Sequence, residues 1–99
     1  MKIKVLRRQP SELKIEVEGE GHTFCNMLQK ALLEEEGVEF AGYDMPHPLI
    51  TRSIIYVRTK GGRKPETTLR DAAKKLRKRS KELRKALEKA FKEYNKNSS

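Results

Sequence analysis

The sequence predicts an α+β fold with the element order ββαββα. Three observations carry that reading. Two segments near the N-terminus alternate apolar with charged residues, the spacing turns helical at Thr23, and a seven-residue apolar repeat runs through the last third. Ninety-nine residues hold one core and leave no room for a second. The domain is therefore expected to span residues 1–96, with 97–99 as a frayed tail.

In the first segment Ile3 and Val5 alternate with Lys2 and Lys4. In the second, Leu13, Ile15 and Val17 alternate with Lys14, Glu16 and Glu18. Period two with one apolar face marks half-buried strands, and "RQPSE" between them supplies turn residues, so the pair reads as a hairpin. "GEG" (19–21) ends it. From Thr23 to about Glu35, Phe24, Leu28, Ala31 and Leu32 fall at helical spacing, with Thr23 placed to cap and Gly37 to stop the helix. Cys25, Met27 and Leu33 add apolar side chains around the cylinder. That girth exceeds a single buried stripe, so this helix is expected to be covered on two sides. "VEFAGYD" (38–44) and "RSIIYVRTK" (52–60) are rich in β-branched and aromatic residues and read as two more strands. Leu6, Tyr43, Ile54 and Tyr56 are expected to leave the second face of the sheet partly apolar.

From Pro65 to Lys96 the pattern predicts one long helix. Pro65 stands at the first helical position, and Thr68 with Asp71 matches a capping box. Leu69, Leu76, Leu83 and Ala90 lie seven apart, interleaved with Ala73, Ser80, Leu87 and Tyr94. A straight helix of that length extends about 45 Å. A 99-residue domain has a radius of gyration near 13 Å, so the far half overhangs its own body. Its seam of Leu83, Leu87, Ala90, Phe91 and Tyr94 is then expected to find cover on another chain through paired helices.

Charge and chemistry narrow the function. The net charge is +9, and residues 66–96 carry twelve Lys or Arg against five acids, so the positive field belongs to the last third. Its Lys and Arg lie mostly off the apolar stripe and are not interleaved with aromatics, which favours a solvated outer face over a stand-alone nucleic-acid-binding protein, the alternative reading. No run of apolar residues is long enough to span a membrane, and no signal-peptide pattern opens the chain, so a cytoplasmic location is expected. Cys25 is the single cysteine and reads as a small buried hydrophobe. His22, Cys25 and His47 are the only soft ligands, without CxxC or HExxH spacing, so neither a metal site nor a cofactor is expected. His47 sits in "MPHP", where each proline fixes its own φ and biases its predecessor toward extended geometry. It is expected to pack in a stiff turn. "GGRK" (61–64) lacks the context of a phosphate loop. His22 reads as a residue satisfying local N–H groups or bonding across an interface. Asn26, a poor helix former inside a helix, reads as kept for a specific hydrogen bond.

"EGEGHTFCNML", then "VEFAGYDMPHPL", then a turn, a proline and a helix together resemble the family of archaeal RNA polymerase subunit L. Eukaryotic subunits of the same position and the N-terminal domain of the bacterial alpha subunit belong with it. The resemblance runs from Met1 to about Tyr94 and is most specific at "GHT", Asn26, Leu28 and "PHPL". Cys25 departs from it, standing where a small residue is common, and so does the basic "KKLRKRSKELRKALEK". The resemblance implies a two-layer sandwich, two helices on a four-stranded, mostly antiparallel sheet. It implies a non-catalytic assembly subunit that pairs with the D-type alpha-like subunit, meets other polymerase subunits, and reaches DNA only indirectly through the complex. The residues it assigns to partner binding are His22, Thr23, Phe24, Asn26, Leu28 and Leu32 on the first helix. On the second they are Leu69, Leu76, Leu83, Leu87 and Phe91.

Overall fold

The computed structural model describes residues 1–46 and 51–98, with side chains through residue 96. His47 and the rest of "HPLI" lie outside the described residues. The chain forms β1 (Lys2–Gln9), β2 (Glu12–Glu18), α1 (His22–Leu33), β3 (Val38–Asp44), β4 (Arg52–Thr59), α2 (Pro65–Lys74) and α3 (Ser80–Ser98). The four strands make one antiparallel sheet in the order β1-β2-β4-β3. All helices lie on the face that carries Ile3, Val5, Leu13, Ile15, Val17, Ala41, Ile55 and Val57. The α+β class, the strand order along the chain and the two layers are those the sequence predicts.

Local chemistry explains the element ends. Gln9 pairs with Glu12 across the Pro10–Ser11 turn, and the side chains of β2 then alternate between the two faces along its whole length. Between Val5 and Arg7 the β1 register shifts, a bulge that leaves Leu6 exposed on the strand. α1 starts one residue before Thr23, with Gly21 at the N-cap and no side-chain cap, so Thr23 lies exposed in the first turn. After α1 the chain reverses at Gly37, whose φ is +85°. A Cβ there would stand 2.8 Å from the Cβ of Arg63, so both conformation and space require glycine.

α2 opens at Pro65 as its N1 residue, with Lys64 at the N-cap. The expected capping box is not formed. Thr68 is fully buried and donates its hydroxyl to the Pro65 carbonyl at 2.7 Å, while Asp71 accepts from Arg63 at 2.8 Å.

The last third of the chain departs most from the sequence pattern. One continuous helix from 65 to 96 was expected, and the chain instead breaks at residues 75–79 into α2 and α3. No proline or glycine lies in "KLRKR", so the break is not a local propensity effect. Arg79 takes a left-handed backbone, φ +65°, which costs a non-glycine residue roughly 1–2 kcal/mol. Tertiary burial outweighs that cost. α1 covers β3 and β4, and α2 touches β2 and β4, which leaves the inner face of β1 for α3. Folding back there makes Leu83 and Leu87 inaccessible and leaves Phe91 only 4% exposed. Each such side chain is worth about 1.5–3 kcal/mol. The seam thus finds its cover inside the same chain, and the molecule measures 37 × 32 × 25 Å rather than carrying a 45 Å rod.

Two outcomes test this arrangement. Leu83→Ala should cost about 2–5 kcal/mol in denaturant unfolding, as for a core leucine; a cost under about 0.5 kcal/mol would mean that α3 is a loose end. Glu82 at the start of α3 sits beside Arg79 and the N-terminal ammonium, which hold its carboxyl below the usual glutamate value. A depressed carboxylate stabilises the fold above its ordinary pKa, and that contribution disappears as pH falls through the lowered value. Glu82→Gln should therefore be less stable than the parent at neutral pH. The two should converge in acid, read from urea midpoints at pH 7 and pH 3.

Candidate pairing surface on α1 and α3

Alternation and helical spacing sort the side chains of α1 onto two faces. Phe24, Cys25, Leu28, Ala31 and Leu32 point into the core. Burial pushes the Cys25 thiol up, so it is an inert core residue. The opposite face carries Thr23, Asn26, Met27, Lys30 and Leu33, all exposed and spaced by three or four residues. Met27 is 43% and Leu33 51% exposed, apolar area that the chain does not cover.

At the N-terminal end of α1 a small polar network fixes the surface. The Tyr43 hydroxyl lies 3.0 Å from His22 Nδ1 and donates to Asn26 Oδ1 at 3.3 Å. A phenol has one proton, so with that proton on Asn26 the oxygen accepts from a protonated Nδ1 of His22. The His22 and Tyr43 rings meet edge to face at 5.7 Å. Asn26 makes a specific hydrogen bond as expected, whereas His22, expected to satisfy local N–H groups or to bond across an interface, meets the same Tyr43 hydroxyl of its own chain. The sequence marks Tyr43 only as an aromatic at a strand end and places it on the outer face of the sheet. It turns toward α1 instead.

The break before α3 is held by ion pairs. Arg79 bonds Glu20, which is 5% exposed, and chelates Glu82 at 3.0 and 3.2 Å; Glu82 also accepts from the Met1 ammonium at 3.1 Å. The Arg79 guanidinium stacks over Phe24 at 5.9 Å, which ties the break to the start of α1. Lys75 reaches the buried Glu35 at 2.5 Å, and that carboxylate raises the Lys75 pKa. At the far end Arg8 of β1 joins Glu66 of α2 at 3.0 Å and Asn95 of α3. Charges therefore pin both ends of α3, and the seam fills the space between.

The residues that the resemblance assigns to partner binding divide into two sets. His22, Thr23 and Asn26 are exposed on α1. Phe24, Leu28, Leu32, Leu69, Leu83, Leu87 and Phe91 are buried in the core of this chain, and Leu76, in the break, is half-buried. Met27 and Leu33 are exposed, so α1 is covered by this chain on one side and not on the two that the sequence leads one to expect. Their signal was the excess apolar girth of this helix.

On the outer face of the sheet, Phe40 (47% exposed) packs against Tyr56 at 5.8 Å with the Arg58 guanidinium 5.9 Å from its ring. The Tyr56 hydroxyl donates to Glu12 at 2.8 Å, and that carboxylate holds the phenol proton more tightly. With Leu6 and Ile54, these residues give the second face the partly apolar character expected of it. Among the described residues no group of three or more His, Cys, Asp or Glu could hold a metal ion. No described helix is long and apolar enough to cross a membrane.

Comparison with known proteins gives this geometry a context. Residues 12–96 match the family described as the RNA polymerase Rpb3/Rpb11 dimerisation domain. The DNA-directed RNA polymerase subunit Rpo11 of Pyrococcus furiosus is 40% identical over 94 residues, covering 93% of this chain and 99% of that one. The subunit of the same name from Methanocella arvoryzae is 41% identical over 76 residues, 77% of this chain and 82% of that one. The crystal structure of DNA-directed RNA polymerase subunit L from Thermoplasma acidophilum superposes with a TM-score of 0.67 at 28% identity, covering 96% of this chain and 93% of that one. An antiparallel four-stranded sheet under a layer of helices, with an uncovered apolar face on α1, thus belongs to a chain of the RNA polymerase Rpb3/Rpb11 dimerisation domain family.

Proposed function

We propose that this chain is a non-catalytic assembly subunit of a DNA-directed RNA polymerase that pairs with a D-type alpha-like subunit. The observation that carries the reading is the outer face of α1. Met27 and Leu33 stand bare beside the ordered His22–Tyr43–Asn26 network in a domain whose family is defined by dimerisation. Large, half-exposed apolar side chains rimmed by polar groups are the usual anchor of a protein interface. On this reading the pair forms the platform on which larger subunits assemble. The outer face of the sheet, with Phe40 and Tyr56, is the surface that meets them.

The seam of α3 enters through a second step. The seven-residue register of Leu69, Leu76, Leu83 and Ala90 passes through residues 75–79 without a helix breaker, and a straight helix would remove the left-handed strain at Arg79. The bent form wins in the lone chain because α3 covers β1. A partner that offers its own helices replaces that cover, and Leu76, Leu83, Leu87 and Phe91 then face the partner along one continuous helix. Phe24, Leu28, Leu32 and Leu69 support the interface from beneath.

Two experiments separate these claims. Met27→Asp with Leu33→Asp should weaken pairing with the D-type subunit by about a hundredfold or more in native mass spectrometry, with an unchanged circular dichroism spectrum. Pairing at parental affinity would refute the α1 surface. For the hinge, Arg79→Gly and Arg79→Ala lose the same ion pairs, yet glycine favours the left-handed bend and alanine the continuous helix. The two differ by about 1 kcal/mol in helix propensity alone, so the glycine variant should pair roughly tenfold more weakly. Equal affinities would leave α3 on its own sheet in the complex.

A further inference from the structure

We propose that the outer face of α3 is a binding surface for the phosphate backbone of nucleic acid, independent of base sequence. Lys81, Lys85, Lys89, Lys92 and Lys96 follow one another at intervals of four, four, three and four residues, which places them on one line down the helix, all exposed. Arg84 flanks the line. The line covers fifteen residue steps, about 22 Å, a length along which one strand of a duplex presents roughly six phosphates at 3.4 Å of axis each.

What distinguishes this line from an ordinary solvated face is its continuity: five lysines share one face of one helix. By contrast Lys2, Lys4, Lys14, Lys30, Lys60 and Lys64, which enter no ion pair among the described residues, are spread over separate elements. Arg7, Arg8, Arg52, Arg58, Arg63, Arg70 and Arg79 each hold a carboxylate. Among the described residues no ion pair involves Lys81, Arg84, Lys85, Lys89 or Lys92. Two of the three acids of α3 are engaged elsewhere: Glu82 by Arg79 and the N-terminus, and Glu88 by Arg70 at 2.6 and 3.0 Å. Like charges three and four apart on a helix repel, so the line carries a strain that a polyanion relieves.

The composition favours nucleic acid over an acidic protein. A protein interface needs an apolar or aromatic centre, and lysine is depleted there. The line between Lys81 and Lys96 has none, because the apolar residues of α3 all lie on the opposite side. Flexible point charges at regular spacing suit a uniform array of phosphates and read no bases. This surface is opposite the seam, so it faces solvent whether α3 is folded back or extended, and it does not rest on the pairing proposal.

The test is fluorescence anisotropy of the full chain with a labelled 24-base-pair DNA duplex of mixed sequence, from 50 to 300 mM salt. Two variants of equal net charge are compared: Lys85→Glu/Lys89→Glu/Lys92→Glu on the line, and Lys4→Glu/Lys30→Glu/Lys60→Glu off it. The parent should bind with an affinity on the order of micromolar at low salt, falling steeply as salt rises. The line variant should lose about thirtyfold or more, and its log–log salt slope should shrink by roughly three, at about 0.9 per phosphate contact. The off-line variant should lose less than about threefold, since distant charges are screened. Equal losses in the two variants would reduce the effect to net charge and overturn the proposal. So would no binding at 50 mM salt, or polyglutamate displacing the duplex at equal charge concentration, which would assign the face to an acidic protein.

Discussion

Every other feature of this molecule depends on how the inner face of β1 is covered. Three helices must roof four strands, and the first two reach only as far as β2. With α3 undocked, Ile3 and Val5 on β1 and the seam of Leu83, Leu87 and Phe91 on the helix would all stand in water. With α3 docked, both sets are buried in one contact. In a chain with 35% hydrophobic and 37% charged residues there is little apolar surface to spare, so this contact decides whether the domain closes.

That contact explains a helix break which nothing local favours. The residues of "KLRKR" are ordinary helix formers, and one of them adopts a backbone angle more typical of glycine. Charges then organise around the bend: Arg79 on Glu20 and Glu82, the N-terminus on Glu82, Lys75 on Glu35. Most of these groups are exposed and individually weak. Their combined effect is to select one bend among the many that burial alone would tolerate.

The two faces of α3 and the two faces of α1 divide the work of the domain. Inward faces build the core, and outward faces remain for other molecules. On α1 the outward face is apolar at Met27 and Leu33, which suits a protein partner; on α3 it is a line of lysines, which suits a polyanion. Such a division is natural in a two-layer domain, because a helix on one side of a sheet buries only one stripe and presents the rest.

The sequence by itself determined what depends on period and neighbours. Alternation in "LKIEVE" set β2 and its buried face, Pro65 set the start of α2, Gly37 set the reversal after α1, and the residues around "GHTFCNML" carried the family. The girth of α1 pointed to cover on two sides, and only the structure showed that the chain covers one of them and leaves Met27 and Leu33 exposed. Only the tertiary structure decided where α3 lies, that Thr68 serves the core rather than a cap, and that His22 and Asn26 share Tyr43. The reason is physical. An apolar stripe states that a helix must be covered but not by what, and the seven-residue repeat reads the same whether its cover is a neighbouring chain or the chain's own first strand.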